Sequence, residues 1–266
     1  MPDMAPLRND CFAFDGPMAP YEEALGLLIG RVHAIAGVEK LPISEATGRI
    51  LAKPVTARAS SPPHNNAAVD GFAVRHADLD PDKPVNLPVV ARAAAGHPVT
   101  EDIPAGSAVR IFTGAVVPDG LDTIFMLEDC SEEEGRVLLK PGIRKGANLR
   151  LKGEDIDAGT EILRPGIRLR PQELALAAAA GVGVVDVYRR LRVAVFSTGD
   201  EVHDPSRGED APPGGIFDAN RFALGAMLHQ TGCDTVDLGI LPDRFEEIRN
   251  ALSAAADRVD AIITSG

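Results

Sequence analysis

The sequence has no tryptophan, and aromatic residues make up only 4% of its 266 residues. Valine, isoleucine, leucine and alanine must therefore build most of the core, for which the 45% hydrophobic content is ordinary. No apolar run approaches the length that spans a bilayer, and the N-terminus lacks the basic start and apolar segment of a secretory signal. These absences predict a protein that does not contact a membrane.

Positive charge is also scarce. The 27 Lys and Arg residues stand against 39 Asp and Glu residues, a formal net charge of −12, which argues against a nucleic-acid binder. The three cysteines, Cys11, Cys130 and Cys233, are far apart and form no CxxC pair. This usage indicates reduced thiols, and we expect a cytoplasmic protein.

Glycine and proline are plentiful, with 26 and 21 residues, which favours a β-rich segment with tight turns over a helical bundle. Residues 1–19 show no periodic pattern and are expected to be irregular. After Pro20, helical spacing predicts a helix closed by Gly37, with its apolar residues at Leu25, Leu28, Val32 and Ile35. Ser44 is predicted to cap a short helix at 45–49, followed by an extended segment at 50–55.

The stretch SPPHNNAAVDGFAVR, residues 61–75, combines two prolines with Asn65, Asn66 and Asp70. A stiff loop crowded with polar groups is typical of a site, whereas a plain hairpin turn is the alternative. Strands are predicted at 85–91, 108–112, 123–127 and 136–140, as in a small sheet or barrel.

Polar loops follow at 113–114, 128–129 and 150–155. The local basic cluster is either a solvated face or part of a site for a metal-bridged anionic ligand; it comprises Arg144, Lys145, Arg150 and Lys152. Pro171 and Gly181 are expected to begin and end a helix, and a strand is predicted at 184–187.

From residue 191 the pattern alternates between strand and helix, which predicts a parallel sheet. Strands are expected at 192–197, 235–238 and 259–264, with a helix from Asp218 to about Gln230. Asp243 is predicted to cap a further helix, with Glu246 three positions on. Ligands of such sheets bind at the carboxyl ends of the strands, which places Asp200, Glu201 and Asp243 on one edge.

No P-loop, dinucleotide fingerprint, GxSxG or zinc spacing is present. Small turns beside carboxylates instead indicate Mg²⁺-assisted chemistry on a phosphorylated ligand.

Six stretches now point to a family. Residues 61–75, 110–118, 153–156, 192–201, 215–220 and 260–266 resemble, in order, the molybdopterin molybdenumtransferases, the family of bacterial MoeA and the gephyrin E domain. The resemblance implies insertion of molybdate into adenylylated molybdopterin with Mg²⁺, releasing AMP. It also implies a homodimer and, upstream, a molybdopterin adenylyltransferase as donor.

The resemblance implies a multi-domain fold, α+β and α/β. We expect a discontinuous linker domain at 1–58 and 156–190, a β-rich domain at 59–155 and a molybdopterin-binding-like α/β domain at 191–266. The site would lie between the β-rich domain of one protomer and the α/β domain of the other.

By motif, the implied catalytic residues are Asp70, Thr113, Asp155 and Asp243, and the metal ligands are Asp200 and Asp243. The implied substrate-binding residues are Arg150, Lys152, Thr198, Gly199, Asp200, Glu201, Asp218, Asn220, Ser265 and Gly266.

Two departures from the family pattern leave other functions open. Ala67 stands where the family usually has Ser, and the family's segments that follow TSG are not in this sequence, so we expect a fragment. One alternative is a pterin- or nucleotide-binding or scaffold paralogue without molybdate insertion. Another is a competence-damage-type nucleotide hydrolase, which the 61–155 region disfavours.

Overall fold

The computed structural model describes residues 20–265. The expectation for residues 1–19 and the predicted ligand contact of Gly266 lie outside this range. The chain separates after Ala36 into two units. No helix in the described range is long and apolar enough to cross a membrane.

The described part of the first unit holds one helix, α1 (Tyr21–Arg31). It starts where the pattern predicts, but the predicted extension to Gly37 is wrong, because the helix ends six residues earlier. Gly30 lowers the helix propensity of the last turn, and a basic residue at Arg31 is favourable at a helix C-terminus.

The second unit begins with two short strands, β1 (Val38–Pro42) and β2 (Val55–Thr56). The helix predicted at 45–49 with Ser44 as its cap is wrong, because a single 3₁₀ turn forms at Ile43–Glu45. The Gly48 N–H donates to the Leu169 carbonyl at 2.7 Å, so this backbone pairs with a distant segment instead of continuing a helix.

The β-rich region contains eight strands, β3 (Asn66–Ala67), β4 (Gly71–Val74), β5 (Val85–Ala93), β6 (Ala108–Ile111), β7 (Thr123–Met126), β8 (Ser131–Glu133), β9 (Arg136–Leu139) and β10 (Leu149–Arg150). Six of them form a mixed sheet of order β7-β4-β6-β5-β9-β8, with β5 and β6 parallel. The four predicted strands are confirmed to within two residues at each end. Side chains of these strands fill two core clusters, around Ile111 and around Phe72.

A third core cluster joins the segments before and after the β-rich region. The later segment forms β11 (Glu161–Leu163), α2 (Pro171–Ala179) and β12 (Val184–Tyr188). β11 pairs with β2, and β12 pairs with β1 in an antiparallel register. The predicted boundaries of α2 are confirmed, with Pro171 in its first turn and Gly181 at a φ of 76° beyond its end.

The last segment alternates strand and helix as predicted. Its elements are β13 (Arg192–Thr198), β14 (Val202–His203), β15 (Ile216–Phe217), α3 (Asn220–Thr231), β16 (Asp234–Leu241), α4 (Phe245–Ala256) and β17 (Ala261–Ser265). β13 lies between β16 and β17, parallel to both. Its apolar run at 193–196 is buried, as expected for a central strand.

The predicted cap at Asp243 is wrong, because α4 begins two residues later with Arg244 at its N-cap. A tight turn causes the shift: the Arg244 N–H donates to the Pro242 carbonyl at 2.6 Å.

A single carboxylate secures the short connection between β12 and β13. Asp260 accepts hydrogen bonds from Nη1 and Nη2 of Arg189 at 2.6 and 2.5 Å, and from the Arg192 N–H at 2.8 Å. The pKa of Asp260 is held far below its usual range, chiefly by the Arg189 side chain.

Candidate functional site

Three loops of the β-rich region meet around Asn66 and Ala67. β3 pairs with β10 so that Asn66 lies opposite Arg150. The Ala67 N–H donates to the Ala115 carbonyl at 2.9 Å, and the Ala67 carbonyl accepts from the Gly114 N–H at 2.8 Å. Polar loops that the sequence only suggests as separate motifs therefore share one surface.

Asp70 and Thr113 form the first predicted pair on this surface. Oδ1 of Asp70 accepts hydrogen bonds from the Thr113 hydroxyl at 2.6 Å and from the Thr113 N–H at 2.8 Å. These two bonds, helped by the charge of Arg110, lower the pKa of Asp70. Asp70 is thus an exposed, ionised acceptor held in a fixed orientation.

Arg150 and Asp155 form the second predicted pair. Nη2 of Arg150 donates to Oδ2 of Asp155 at 2.7 Å, and its Nε donates to Glu154. The Leu151 N–H and the Arg150 side chain both bond Glu154 and lower its pKa. The predicted basic cluster therefore holds an arginine directly beside two carboxylates, in a turn that contains Gly153 at a φ of 76°.

Two residues that the sequence analysis left without a role support this turn. Asn65 accepts a hydrogen bond from the Lys152 N–H at 2.9 Å through Oδ1, which ties the loop at 61–75 to the predicted Lys152. Glu154 binds Arg150 four positions before it. The four-residue spacing of Arg150 and Glu154 is the feature of the sequence that could have indicated this ion pair. Such spacing brings side chains together reliably in a helix but less reliably in a turn.

The α/β segment supplies a second group of predicted residues at the carboxyl ends of its strands. Thr198 pairs with Leu241, and Ser197 with Ser265, so the three strands end side by side. Nδ2 of Asn220 donates to Oγ of Ser265 at 2.7 Å. The start of α3 is thereby joined to the end of β17.

Two clefts flank the turn that follows β13. One, of about 340 Å³, is lined by Ser197, Thr198, Glu201, Val202, Ile216, Phe217, Asp218, Ala219, Asn220 and Ser265. The other, of about 500 Å³, contains the predicted Gly199 and Asp200 together with His203 and further acidic residues. The predicted substrate residues of this segment are thus divided between the two sides of one turn.

Asp200 and Asp243 are neighbours beside the second cleft. The Asp243 N–H donates to Oδ1 of Asp200 at 3.3 Å, and both side chains are exposed. Two carboxylates suit Mg²⁺, which commonly takes one or two protein carboxylates and completes its shell with water and phosphate oxygens. Within residues 20–265, no set of three or more acidic, histidine or cysteine side chains converges as metal ligands.

Asp218 lines the first cleft but is largely buried and held by hydrogen bonds within the protein. It is only 4% exposed, and Arg221, at 5%, bonds Oδ2 of Asp218 through Nε at 2.8 Å. Ser197 Oγ and the Arg221 N–H donate to Oδ1 at 3.0 and 3.1 Å. Burial raises the pKa of Asp218, but these bonds outweigh it and the net shift is downward.

Arg221 connects four elements and is absent from the sequence-based site. Its guanidinium also bonds Asp204 at 2.7 Å in the loop after β14 and contacts Asp237 on β16. Only the folded sheet brings these aspartates together, since they are separated by up to 33 positions in the sequence (237 − 204). Arg221 therefore fixes the carboxylates of Asp218, Asp204 and Asp237 relative to one another.

The two groups of residues are not hydrogen-bonded to each other among residues 20–265. Across the described residues, no hydrogen bond connects the β-rich region at 59–155 with the α/β segment at 191–265. Each half of the predicted site is therefore built separately.

Two separate family models match the part of the chain that contains the β-rich region and the α/β segment. Residues 19–181 match the family described as "MoeA N-terminal region (domain I and II)". The chain belongs to the MoeA family. Residues 194–266 match a second description, "Probable molybdopterin binding domain".

Curated relatives agree with this assignment. The chain is 36% identical over 250 residues to the molybdopterin molybdenumtransferase of Haemophilus influenzae, covering 94% of the chain and 61% of that protein. It is 38% identical over 242 residues to the one of a Nostoc species, covering 90% and 55%. The chain thus spans little more than half the length of these relatives.

A solved structure gives the same result. The molybdopterin biosynthesis MoeA protein of Pyrococcus horikoshii superposes with a TM-score of 0.85 at 31% identity, covering 94% of the chain and 67% of that protein. The predicted fold class, a β-rich region with a parallel-sheet α/β segment in a multi-domain arrangement, is confirmed.

Proposed function

We propose that this protein acts in molybdenum cofactor biosynthesis as a molybdopterin molybdenumtransferase. The reaction is the insertion of molybdate into adenylylated molybdopterin, with release of AMP. The observation that carries the proposal is the cleft of about 340 Å³ at the carboxyl ends of β13 and β17, lined by both polar and apolar side chains, in a chain of the MoeA family. The adenylylated substrate would come from a molybdopterin adenylyltransferase, and we expect the process to be cytoplasmic.

Each group of residues has a role in this proposal. Thr198, Asn220 and Ser265 offer hydroxyl and amide groups that bind the phosphate and ring edges of the substrate. Glu201 lies in the same cleft, and Asp70, with its lowered pKa, accepts hydrogen bonds from the substrate or orients a water molecule.

Mg²⁺ would be held by Asp200 and Asp243, whose side chains are exposed and whose residues are linked by the hydrogen bond from the Asp243 N–H to Oδ1 of Asp200. When bound, it supplies charge neutralisation at the phosphate oxygens of the substrate. On the β-rich side, Lys152 would carry the positive charge that favours an anionic ligand. The charge of Arg150 is already balanced by Asp155 and Glu154, so Arg150 would offer the ligand N–H donors in a fixed orientation.

The active form in this proposal is a homodimer, and its site combines Asp70 from one protomer with Asp243 from the other. The absence of hydrogen bonds between the two groups among residues 20–265 is compatible with a site completed by a second protomer. Co-expressing Asp70→Ala and Asp243→Ala proteins tests it. Mixed dimers would keep one intact site of two, and random pairing then restores about a quarter of wild-type activity. No recovery in mixed dimers would contradict a shared site.

The reaction itself is tested on the protein as its gene encodes it. We expect AMP release from adenylylated molybdopterin to require molybdate and Mg²⁺, measured by chromatography, and the product to activate a cofactor-free molybdoenzyme. Binding without AMP release would favour the paralogue that binds a pterin or nucleotide but inserts no molybdenum. Ala67 gives that alternative little support, because this position is only 2% exposed and packs in a core cluster.

A further inference from the structure

Phe217 is an exposed aromatic ring in the wall of the proposed substrate cleft. Its side chain is 49% exposed, and with Ile216, Val202 and Ala219 it forms the apolar part of the lining. The proposed function gives this side chain no role. An aromatic ring left half open beside hydroxyl and amide groups is a common feature of sites that bind flat, polar-edged ligands.

The backbone that carries Phe217 is held on both sides. The Ile216 N–H donates to the Glu201 carbonyl at 2.8 Å, and the Asp218 N–H donates to the His203 carbonyl at 2.9 Å. Before it, the His203 ring packs closely against Gly215, where a Cβ would lie 2.6 Å from Cδ2 of that ring. After it, the buried Asp218 carboxylate is fixed by Arg221.

A fixed backbone with an exposed ring is a preorganised platform, because little conformational entropy remains to be lost on binding. The other residues of the cleft match the rim of a flat heterocycle. The Thr198 and Ser265 hydroxyls can donate or accept hydrogen bonds, and the Glu201 carboxylate accepts them from ring N–H groups.

We propose that Phe217 stacks on the fused heterocyclic ring of the substrate and thereby contributes to its selection. This inference rests on the proposed function. Two rings of adenylylated molybdopterin share the required chemistry, the adenine and the pterin. Both are fused and polar at their edges; the adenine is planar throughout, and the reduced pterin has a planar pyrimidinone ring that offers a face for stacking.

Titration calorimetry on wild type and Phe217→Ala tests the inference with three probes, AMP, a 6-hydroxymethylpterin and ribose 5-phosphate. We expect Phe217→Ala to weaken binding of AMP, the pterin or both by about five- to a hundredfold, the range for one stacked base. Ribose 5-phosphate, which has no ring system to stack, should bind the variant as it binds wild type. Phe217→Tyr should retain wild-type affinity, because the stacking face is kept.

The matched control is Phe245→Ala, the same change at an exposed ring of α4 that lies outside the cleft. If Phe217→Ala weakens the binding of AMP alone, the ring that stacks on Phe217 is the adenine. If it weakens the binding of the pterin alone, the stacked ring is the pterin. Unchanged affinity for both rings would overturn the inference and leave the proposed function standing. Loss of dimer in sedimentation without any ring-dependent loss would overturn it as well, since the ring would then cover a second copy. If wild type binds none of the three probes, the proposed function itself is overturned.

Discussion

Replacing Arg221 with methionine should destabilise the α/β segment strongly. Methionine keeps much of the apolar stem but removes the guanidinium that bonds Asp218, Asp204 and Asp237. The Arg221 and Asp218 side chains are 5% and 2% exposed, so the loss leaves a buried carboxylate without its counter-charge. Breaking such a pair by removing one partner costs about 3–5 kcal/mol.

The other two ion pairs of Arg221 add little to this figure. The Asp204 and Asp237 side chains are 21% and 54% exposed, and solvent-screened pairs contribute at most about 1 kcal/mol each. Asp237→Asn is therefore the matched control, with an expected loss below about 1 kcal/mol. Both values are measured as free energies of unfolding from urea titrations, with circular dichroism as the signal.

The pH dependence of this loss has a defined sign. In wild type the pKa of Asp218 is lowered, so its contribution is present at neutral pH and is lost as the pH falls. In Arg221→Met, burial without the counter-charge raises the pKa of Asp218. Protonation of Asp218 then removes the buried charge and restores part of the variant's stability. The difference between the two proteins should narrow from neutral pH toward about pH 4.

Asp218→Asn completes a double-mutant cycle with Arg221→Met. Removing both charges should recover part of the stability that the single Arg221 change loses, because no unpaired buried carboxylate remains. A loss below about 1 kcal/mol for Arg221→Met, or a loss independent of pH and of Asp218, would refute the assigned coupling.

Three further predictions concern the site. Thr113→Val should raise the pKa of Asp70 toward its usual value, as followed by carboxyl-carbon NMR titration, and an unchanged pKa would contradict the hydrogen-bond assignment. Gly153→Ala should lower the midpoint of urea unfolding, because the residue has a φ of 76° and a Cβ would overlap Oδ1 of Asp157; equal midpoints would count against it. Asp243→Ala should abolish molybdate-dependent AMP release, whereas Asp234→Ala, at the opposite end of β16, should leave it at the wild-type rate.

Local patterns in the sequence predicted the regular elements well where local and tertiary preferences agree. The proline-first, glycine-last signal at Pro171 and Gly181 gave the bounds of α2. The buried run at 193–196 identified β13 as a sheet strand, although its central position depends on partners far along the chain. Ser44 shows the limit, since a favourable cap did not produce a helix where Gly48 bonds Leu169 instead.

The candidate site could be predicted only in part for the same reason. Its members on strand ends, such as Asp200 and Ser265, follow from the alternating pattern and the rule for parallel sheets. Arg221 could not be found, because its three carboxylates come from a loop, a helix start and a neighbouring strand. The bonds of Asp218 to that arginine could not be foreseen either, although Asp218 does line the cleft as its predicted role requires.

The hydrogen bonds of Asp260 have a mechanical consequence. Because Arg189 keeps the Asp260 carboxylate ionised far into the acid range, the hydrogen bonds that link β12 and β13 through Asp260 are not lost with ordinary changes of pH. We therefore expect the connection at 189–191 to hold β12 and β13 in a fixed relative orientation. We therefore expect a twist of the β1–β12 pair to reach the central strand β13, and so the turn beginning at Thr198 that lines the cleft of about 340 Å³.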